Sequence, residues 1–270
     1  MADSNRLPGP AGAEPGFRAP RGGVISLREL PALAARAQLV VLSGAGISAD
    51  AGLPTFRGAG GLWDGQPVEE LATPRAWARD PARVWRFYQE RRRRLLEVEP
   101  GPAHRALVEL ERWLVRGGGS FTLISQNVDD LHQRAGSRPL SMHGQLLELW
   151  CEACRRVCAD RTSLDPQRFV PCPACGAARL RPHVVWFGEQ PRHLEAIQSA
   201  VERADWFLAI GTSGAVYPAA GLLDLARQAG AATLVQALEP PLNLAPEDLF
   251  LAGRSAELLP ALVAHWTGCG

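Results

Sequence analysis

A doubly wound, parallel α/β sheet with a helical insert and a small cysteine-bearing domain is the architecture this sequence predicts, and three observations carry it. Uninterrupted apolar runs at Leu39-Val-Val-Leu42, Phe121 to Ile124, Trp206 to Ile210 and Ala232 to Leu238 read as strands buried on both faces. Helical patterns lie near 103–115, 192–203 and 219–229, and strands alternating with helices give a parallel sheet. The first run ends in Ser43-Gly-Ala-Gly46, a strand feeding a glycine-rich turn.

Taken in order, residues 1–23 mix Pro, Gly and Ala without periodicity and are expected to be a disordered tail. They lack both the apolar core of a signal peptide and an acid-free amphipathic helix. Ser26-Leu-Arg-Glu29 has the form of a capping box, so a short helix is expected to run from it through Ala37 despite Pro31. The main domain is then assembled from residues 24–63, 101–145 and 183–270. Residues 64–100 read as a helical insert, clearest over Asp80 to Leu96, and residues 146–182, which carry the cysteines and the short alternating run Gln145 to Trp150, as the small domain. No internal repeat of 20–50 residues is found.

Composition removes whole classes of function. Lys plus Arg number 29 against 28 Asp plus Glu in 270 residues, so no field of one sign exists to hold nucleic acid or an anionic membrane. All of the basic residues are arginine, which leaves no side-chain amine to be acylated. The uncharged stretch Trp206 to Leu223 is broken by Gly211-Thr-Ser-Gly214 and Pro218, which suits a strand, loop and helix start better than a membrane span. No nucleic-acid or membrane partner is expected.

Of the 6 cysteines, Cys151, Cys154, Cys172 and Cys175 form two C-x2-C pairs at the spacing of a four-thiolate zinc site. The chain shows no secretion signal, so a disulfide framework is the weaker reading. One structural zinc per chain is expected in a zinc-ribbon small domain, because four thiolates leave no open position for a reacting water. Cys158 and Cys269 stand outside the pattern.

Gly44-x-Gly46-x-x-Ala49 follows a strand and matches the pattern whose small residues let backbone amides approach a pyrophosphate. An ordinary dinucleotide unit would then reach its second strand within about 30 residues and end it near a carboxylate. Instead the chain reads Gly52-Leu-Pro-Thr-Phe-Arg57-Gly-Ala-Gly-Gly61, a loop whose Phe56 and Arg57 offer an aromatic face and a fixed cation. Such a lid suits a cofactor consumed as a reactant better than one exchanging hydride.

These residues, together with Gln126-Asn-Val-Asp129, His143-Gly144, the paired cysteines, His183-Val-Val-Trp-Phe-Gly-Glu189 and Gly211-Thr-Ser213, resemble the sirtuin family of NAD-dependent protein deacylases over about residues 24 to 265. The resemblance implies a Rossmann-type domain, a small zinc domain, and a cleft between them for acylated-lysine protein substrates. In that family the acyl oxygen displaces nicotinamide from C1′ of NAD, and the products are free lysine and 2′-O-acyl-ADP-ribose. By motif, His143 is the general base, for which an ordinary imidazole pKa near 6.5 is suited. Asn127 holds the ribose and a water, Gln126 contacts the ribose, and Asp129 binds the nicotinamide carboxamide. Asp129 and Asp130 also stand where acids cap the next helix.

The same resemblance gives Gly44, Ala45, Gly46, Ser48, Thr55, Phe56, Arg57 and Trp63, with Gly211, Thr212 and Ser213, to NAD, whose reactive centre Phe56 screens from water. Val185, Trp186, Phe187 and Gly188 are assigned to pairing strand-on-strand with the substrate peptide. Trp186 and Phe187 are equally compatible with a core. Where sirtuins commonly place Asn-x-Glu to hold the adenosine ribose, this chain reads Gln236-Ala-Leu238. Gln236 is expected to substitute, with the adenine near Gly253 to Ala256 and Ser255 as the backbone contact.

Tyr88 and Arg91 are three apart on the expected helix, so their Cβ atoms lie about 5–6 Å apart, a hydroxyl beside a guanidinium. The sirtuin branch that removes succinyl, malonyl and glutaryl groups carries such a pair, with an alanine sixteen residues before the tyrosine, here Ala72. The expected function is therefore removal of acidic acyl groups, with weaker deacetylation. Against it stands the run Arg91 to Arg94, since such runs usually form a solvated helix face. Plain deacetylation, ADP-ribosyl transfer and non-enzymatic NAD sensing are the other readings. A monomer in a prokaryotic cytoplasm is expected, or a mitochondrial protein if the tail acts as a presequence.

Overall fold

The computed structural model describes residues 16–18, 24–27, 30–54, 56–57, 62–63 and 66–268, with only the backbone described at 16–18, 24–26, 56–57, 62–63, 66 and 68. In chain order come strands β1 (Gly16–Arg18), β2 (Val24–Ser26) and β3 (Gln38–Ser43), the single-turn helix α1 (Gly46–Ala49), and strands β4 (Phe56–Arg57), β5 (Leu62–Trp63) and β6 (Gln66–Pro67). Helices α2 (Pro74–Arg79), α3 (Pro81–Glu97) and α4 (Pro102–Arg116) follow, then β7 (Ser120–Ser125), α5 (Leu131–Ala135) and β8 (Leu140–Ser141). The small module holds β9 (Gly144–Trp150), β10 (Val157–Ala159) and β11 (Arg181–Val184). The chain ends with α6 (Leu194–Glu202), β12 (Trp206–Ile210), α7 (Gly221–Gln228), β13 (Ala232–Ala237), β14 (Leu249–Ala252) and α8 (Ser255–Thr267).

The main sheet has the order β2-β1-β14-β13-β12-β3-β7-β8 and is parallel from β14 to β8, with β1 and β2 added antiparallel at one edge. Its strands are apolar throughout because helices cover both faces. In β3, Leu39 and Val41 join α4 and α8 in one core, while Val40 and Leu42 join α6 and α7 in another. In β12 the same division places Trp206, Leu208 and Ile210 on the first face and Phe207 and Ala209 on the second. A third core joins α2 and α3 to β9, β11, Cys151 and Cys172.

Two expectations at the N-terminus are corrected. Ser26 ends strand β2, and residues 31–37 contain no helix. Gly16–Arg18, placed in a structureless tail by composition, is strand β1, with Phe17 opposite Leu251. The physical reason is the sheet edge at β14, whose unpaired backbone groups bind a strand regardless of the local capping pattern, and Pro31 removes a donor from any helix there. In the insert, β6 and a 3-10 turn at Val68–Glu70 precede the helices. Thr73 and Asp80 start α2 and α3 by accepting from Ala76 N–H and Arg83 N–H, each with proline in the first turn. No helix among the described residues is long and apolar enough to cross a membrane.

Candidate active site

The parallel strands β3 and β12 lie side by side, with β7 beyond β3 and β13 beyond β12, so the strand order reverses between them. A crevice outside the carboxyl ends of the strands opens there. The two loops that leave them touch: Gly44 N–H donates to Ile210 O at 2.8 Å and Gly46 N–H to Gly211 O at 2.9 Å. A Cβ on Gly44 would sit 2.7 Å from Gly211 O, and one on Gly46 2.6 Å from Gly211 Cα, while Gly211 itself has φ +58°. The glycine pattern is thus required by the crossing of two backbones before any ligand is considered.

Four segments converge on this crossing. From the loop after β7, the Asn127 amide donates to Gly44 O at 3.1 Å and to Ser48 Oγ at 3.2 Å, and the Gln126 amide donates to Thr212 Oγ1 at 3.1 Å. Ser48 Oγ donates to Asp129 Oδ2 at 2.9 Å, and the other Asp129 oxygen accepts from Leu131 N–H at 3.1 Å. Asp129 therefore caps α5 and also belongs to the site. Burial dominates its titration and pushes it up to about 6, against the two donated hydrogen bonds and with the neighbouring Asp130 charge acting in the same direction as burial.

His143 lies between β8 and β9. Gly144 has φ +82°, and a Cβ there would lie 2.1 Å from His183 O, so only glycine lets β11 close on β9 beside it. His143 Nδ1 lies 2.7 Å from Gln126 O, and because a carbonyl only accepts, Nδ1 carries the proton and Nε2 the lone pair. Burial lowers the His143 pKa, opposed by that hydrogen bond, so the ring is neutral and basic at pH 7. His104 and His132 are also buried, at about 4 and about 3, but lie outside the cavity lining.

A single cavity of about 750 Å³ joins these groups. Its wall includes Gly44, Ala45, Gly46, Ser48, Gln126, Asn127, Asp129, His143, Gly211, Thr212, Ser213 and Ser255 on the sheet side, and Ala72, Tyr88, Arg91 and Val185 to Gly188 on the other. Thr55 lies outside the described residues, as do the side chains of Phe56, Arg57 and Trp63. Gln236 requires correction. It is fully buried, its amide donates to Gly253 O at 2.7 Å and accepts from Ser255 Oγ at 2.6 Å, and it does not reach the cavity. With both ends committed, it holds the Gly253-Arg-Ser255 loop in place, and Ala237, Leu238 and Glu239 after it line the cavity.

The wall opposite the sheet is built from two layers. Trp186 Nε1 donates to Tyr88 OH at 2.9 Å, so α3 and the segment after β11 are tied side chain to side chain. Burial raises the Tyr88 pKa, against the pull of the Trp186 hydrogen bond and the nearby Arg91 charge, so the phenol stays protonated. The Arg91 guanidinium lies 3.2 Å from the Phe87 ring centre and donates to Phe87 O at 2.9 Å, with the residue only 7% exposed. Trp186 is core, whereas Phe187 is 46% exposed at the rim. The N–H groups of Val185, Trp186 and Phe187 donate to His143 O, Glu189 Oε2 and Ala72 O, so these three donors serve the protein's own fold.

Sequence reasoning missed several residues of the wall and one, Arg181, that braces it from behind. Arg181 grips Glu189 through two hydrogen bonds of 2.8 Å and stacks 3.6 Å from the Trp186 ring, fixing the rim segment. Asp50 accepts from Arg254 Nε at 3.0 Å and from Ala256 N–H at 3.2 Å across the cavity rim, and Arg94 lines the cavity one turn after Arg91. Each sits in a stretch with no spacing signature; only the C-terminal Glu of the His183 to Glu189 motif could have pointed to one of them.

The sulfur atoms of Cys151, Cys154, Cys172 and Cys175 lie within 4.8 Å of one another, with Cys151 to Cys175 at 3.6 Å and Cys154 to Cys172 at 3.7 Å. A tetrahedral zinc with bonds of about 2.3 Å requires sulfurs about 3.8 Å apart, so these residues fit the ion. Cys158, on β10, is not among them.

Comparison with known proteins agrees with this geometry. The Sir2 family model matches residues 44–218. The NAD-dependent protein deacylase SIR2rp3 of Trypanosoma brucei brucei is 45% identical over 227 residues, covering 83% of this chain and 92% of its own. An NAD-dependent protein deacylase of Caulobacter vibrioides is 45% identical over 228 residues, covering 84% and 95%. Among solved structures, a Sir2 homologue in complex with NAD superposes with a TM-score of 0.78 at 39% identity, covering 87% of this chain and 91% of that one. Sir2Af2 bound to a myristoylated histone peptide does so with a TM-score of 0.70 at 31% identity, covering 90% and 96%. A glycine crossing at the sheet's switch point, a neutral buried histidine beside it and a four-thiolate zinc module thus coincide with family membership, and the chain belongs to the Sir2 family.

Proposed function

We propose that this NAD-dependent protein deacylase prefers lysines carrying acidic acyl groups (succinyl, malonyl or glutaryl) and removes acetyl groups more slowly. The family's activity and its NAD requirement are those of the relatives above; the acyl preference rests on the wall formed by Ala72 and α3. One observation carries it. Arg91, the first of four consecutive arginines, is buried and lines the cavity beside Tyr88 and the small Ala72. A guanidinium held in low dielectric and reached by a cavity favours a carboxylate there over a neutral acyl tail by several kcal/mol when the contact is bidentate. The Tyr88 hydroxyl accepts from Trp186, and burial keeps it protonated beside Arg91.

NAD supplies the electrophilic ribose carbon and the nicotinamide leaving group. The chain's residues do the rest. Gly44, Ala45, Gly46 and Ser48, with Gly211, Thr212 and Ser213, hold the phosphates and riboses, and Ser255 serves the adenosine end. Asn127, locked between Gly44 O and Ser48, orients the ribose, and Asp129 receives the nicotinamide carboxamide. His143 takes a ribose hydroxyl proton at Nε2, because Nδ1 is fixed on Gln126 O. The described cavity wall also carries the apolar side chains Leu53, Leu95, Val128 and Leu146, which limit water.

The test is Arg91→Met measured on matched succinyl- and acetyl-lysine peptides. Desuccinylation is expected to fall by at least about a hundredfold in kcat/KM and deacetylation by less than about threefold. Equal losses on both would make Arg91 a structural residue and remove the acidic preference.

A further inference from the structure

One short segment of the zinc module reaches the loop that carries Asp129. After β10 the chain turns at Asp160, whose N–H donates to Leu147 O and whose Oδ1 accepts from Thr162 N–H and Ser163 N–H, both at 2.9 Å. This turn aims Arg161 at Asp130: Arg161 Nη1 lies 2.6 Å from Asp130 Oδ2. The Asp130 side chain is 9% exposed and Arg161 half exposed. The second cation, Arg134, stands 3.9 Å from Asp130 Oδ1 and is itself bound to Glu99 at 2.6 Å. Among the described residues Oδ1 is buried without a hydrogen bond. The Asp130 charge is thus met closely from one direction only, and that direction is the zinc module.

We propose that Arg161 is a positioning residue for the NAD site, acting through Asp130 on Asp129. The inference rests on the assignment of Asp129 to the nicotinamide end of NAD. Arg161 compensates a carboxylate that adjoins Asp129 in the chain, and so sets how readily Asp129 carries its own charge. The groups that bear on Asp129 are few: Ser48 from α1 and the Leu131 N–H, which donate to it, and the adjacent Asp130 charge, with Arg134 of α5 standing 3.9 Å from Asp130 Oδ1. Arg161 is the cation close to Asp130, and it belongs neither to α5 nor to the wall of the cavity. The segment also accepts from Arg92 of α3, at 2.6 Å to Asp160 O, so the same turn braces the helix that carries Arg91.

The experiment compares Arg161→Ala, Arg161→Lys and Asp130→Asn in the full-length zinc-loaded protein, reading KM for NAD and nicotinamide inhibition from pH 5 to 8, with zinc content and Tm as controls. Removing the cation leaves Asp130 uncompensated, so the acid limb of the KM profile should move up by about half a pH unit, about threefold in KM near that limb. Removing the Asp130 charge should move it down, and lysine at 161 should restore most of the wild-type profile. A purely structural brace would shift Ala and Asn variants in the same direction, and that result, or no shift in either, overturns the inference. Asp129→Asn separates the two levels: if it leaves KM for NAD and nicotinamide inhibition unchanged, the assignment of Asp129 fails and the inference falls with it.

Discussion

At the scale of single residues, the four arginines of α3 show how helical geometry gives identical side chains different fates. Successive positions turn by about 100°, so the run sweeps the whole circumference of the helix. Arg91 faces the cavity, Arg92 is fully buried, Arg93 is exposed, and Arg94 is exposed at the cavity wall. Arg92 donates to Gln89 Oε1 at 2.7 Å, Ser163 O at 3.1 Å and Asp160 O at 2.6 Å, and its burial depresses its pKa against the Asp160 charge. Arg92→Met strips those acceptors of their donor and is expected to cost about 3 kcal/mol or more, whereas Arg93→Ala stays within about 0.5 kcal/mol. Urea unfolding of the two variants checks this. A second expectation concerns pH. Asp129, raised to about 6, loses its charge below that value, so KM for NAD should rise there. His143, lowered from its ordinary value, stays an unprotonated base below pH 6.5, so kcat should hold further into acid than a free imidazole allows. A kcat limb above 6.5 would contradict its assignment as base.

At the scale of elements, legibility followed how much of an element's environment is encoded locally. The strands β3, β7, β12 and β13 were readable because both of their faces are buried, which forces continuous apolar runs in the sequence. The helix expected after Ser26 was misread because its capping pattern is local, whereas pairing with Phe17 and the edge at β14 is not. Gln236 was misread for the same reason: its partners, Gly253 and Ser255, lie on the other side of β14, and nothing near Gln236 in the chain announces them. The glycine-rich turn was read for its ligand, although the backbone crossing at Gly211 requires it independently. Gly46→Ala tests that: its Cβ would lie 2.6 Å from Gly211 Cα, a contact with backbone on both sides, and a loss of about 1–3 kcal/mol in stability together with weakened NAD binding is expected. Unchanged stability by calorimetry would mean that the loops separate freely.

At the scale of the whole molecule, the cavity lies where the sheet-centred cores meet the core of α2, α3 and the zinc module, and its two walls belong to different layers. The wall on the sheet side follows from a strand order; the wall on the other side depends on a module of 40 or so residues whose core includes Cys151 and Cys172. Such a small module needs a staple, and the zinc supplies it. One zinc per chain is expected by elemental analysis, and its chelation should lower Tm and abolish deacylation, with α3 losing the support that Asp160 and Ser163 give to Arg92. A metal-free protein that keeps its Tm and activity would contradict that dependence. Deacylation that consumes NAD and is steered by a buried arginine can be read out by incubating the protein with NAD and matched acetyl-, malonyl-, succinyl- and glutaryl-lysine peptides and following nicotinamide and acyl-ADP-ribose by mass spectrometry. Faster turnover of the three acidic peptides than of the acetyl peptide is the predicted result; turnover of the acetyl peptide alone would contradict it.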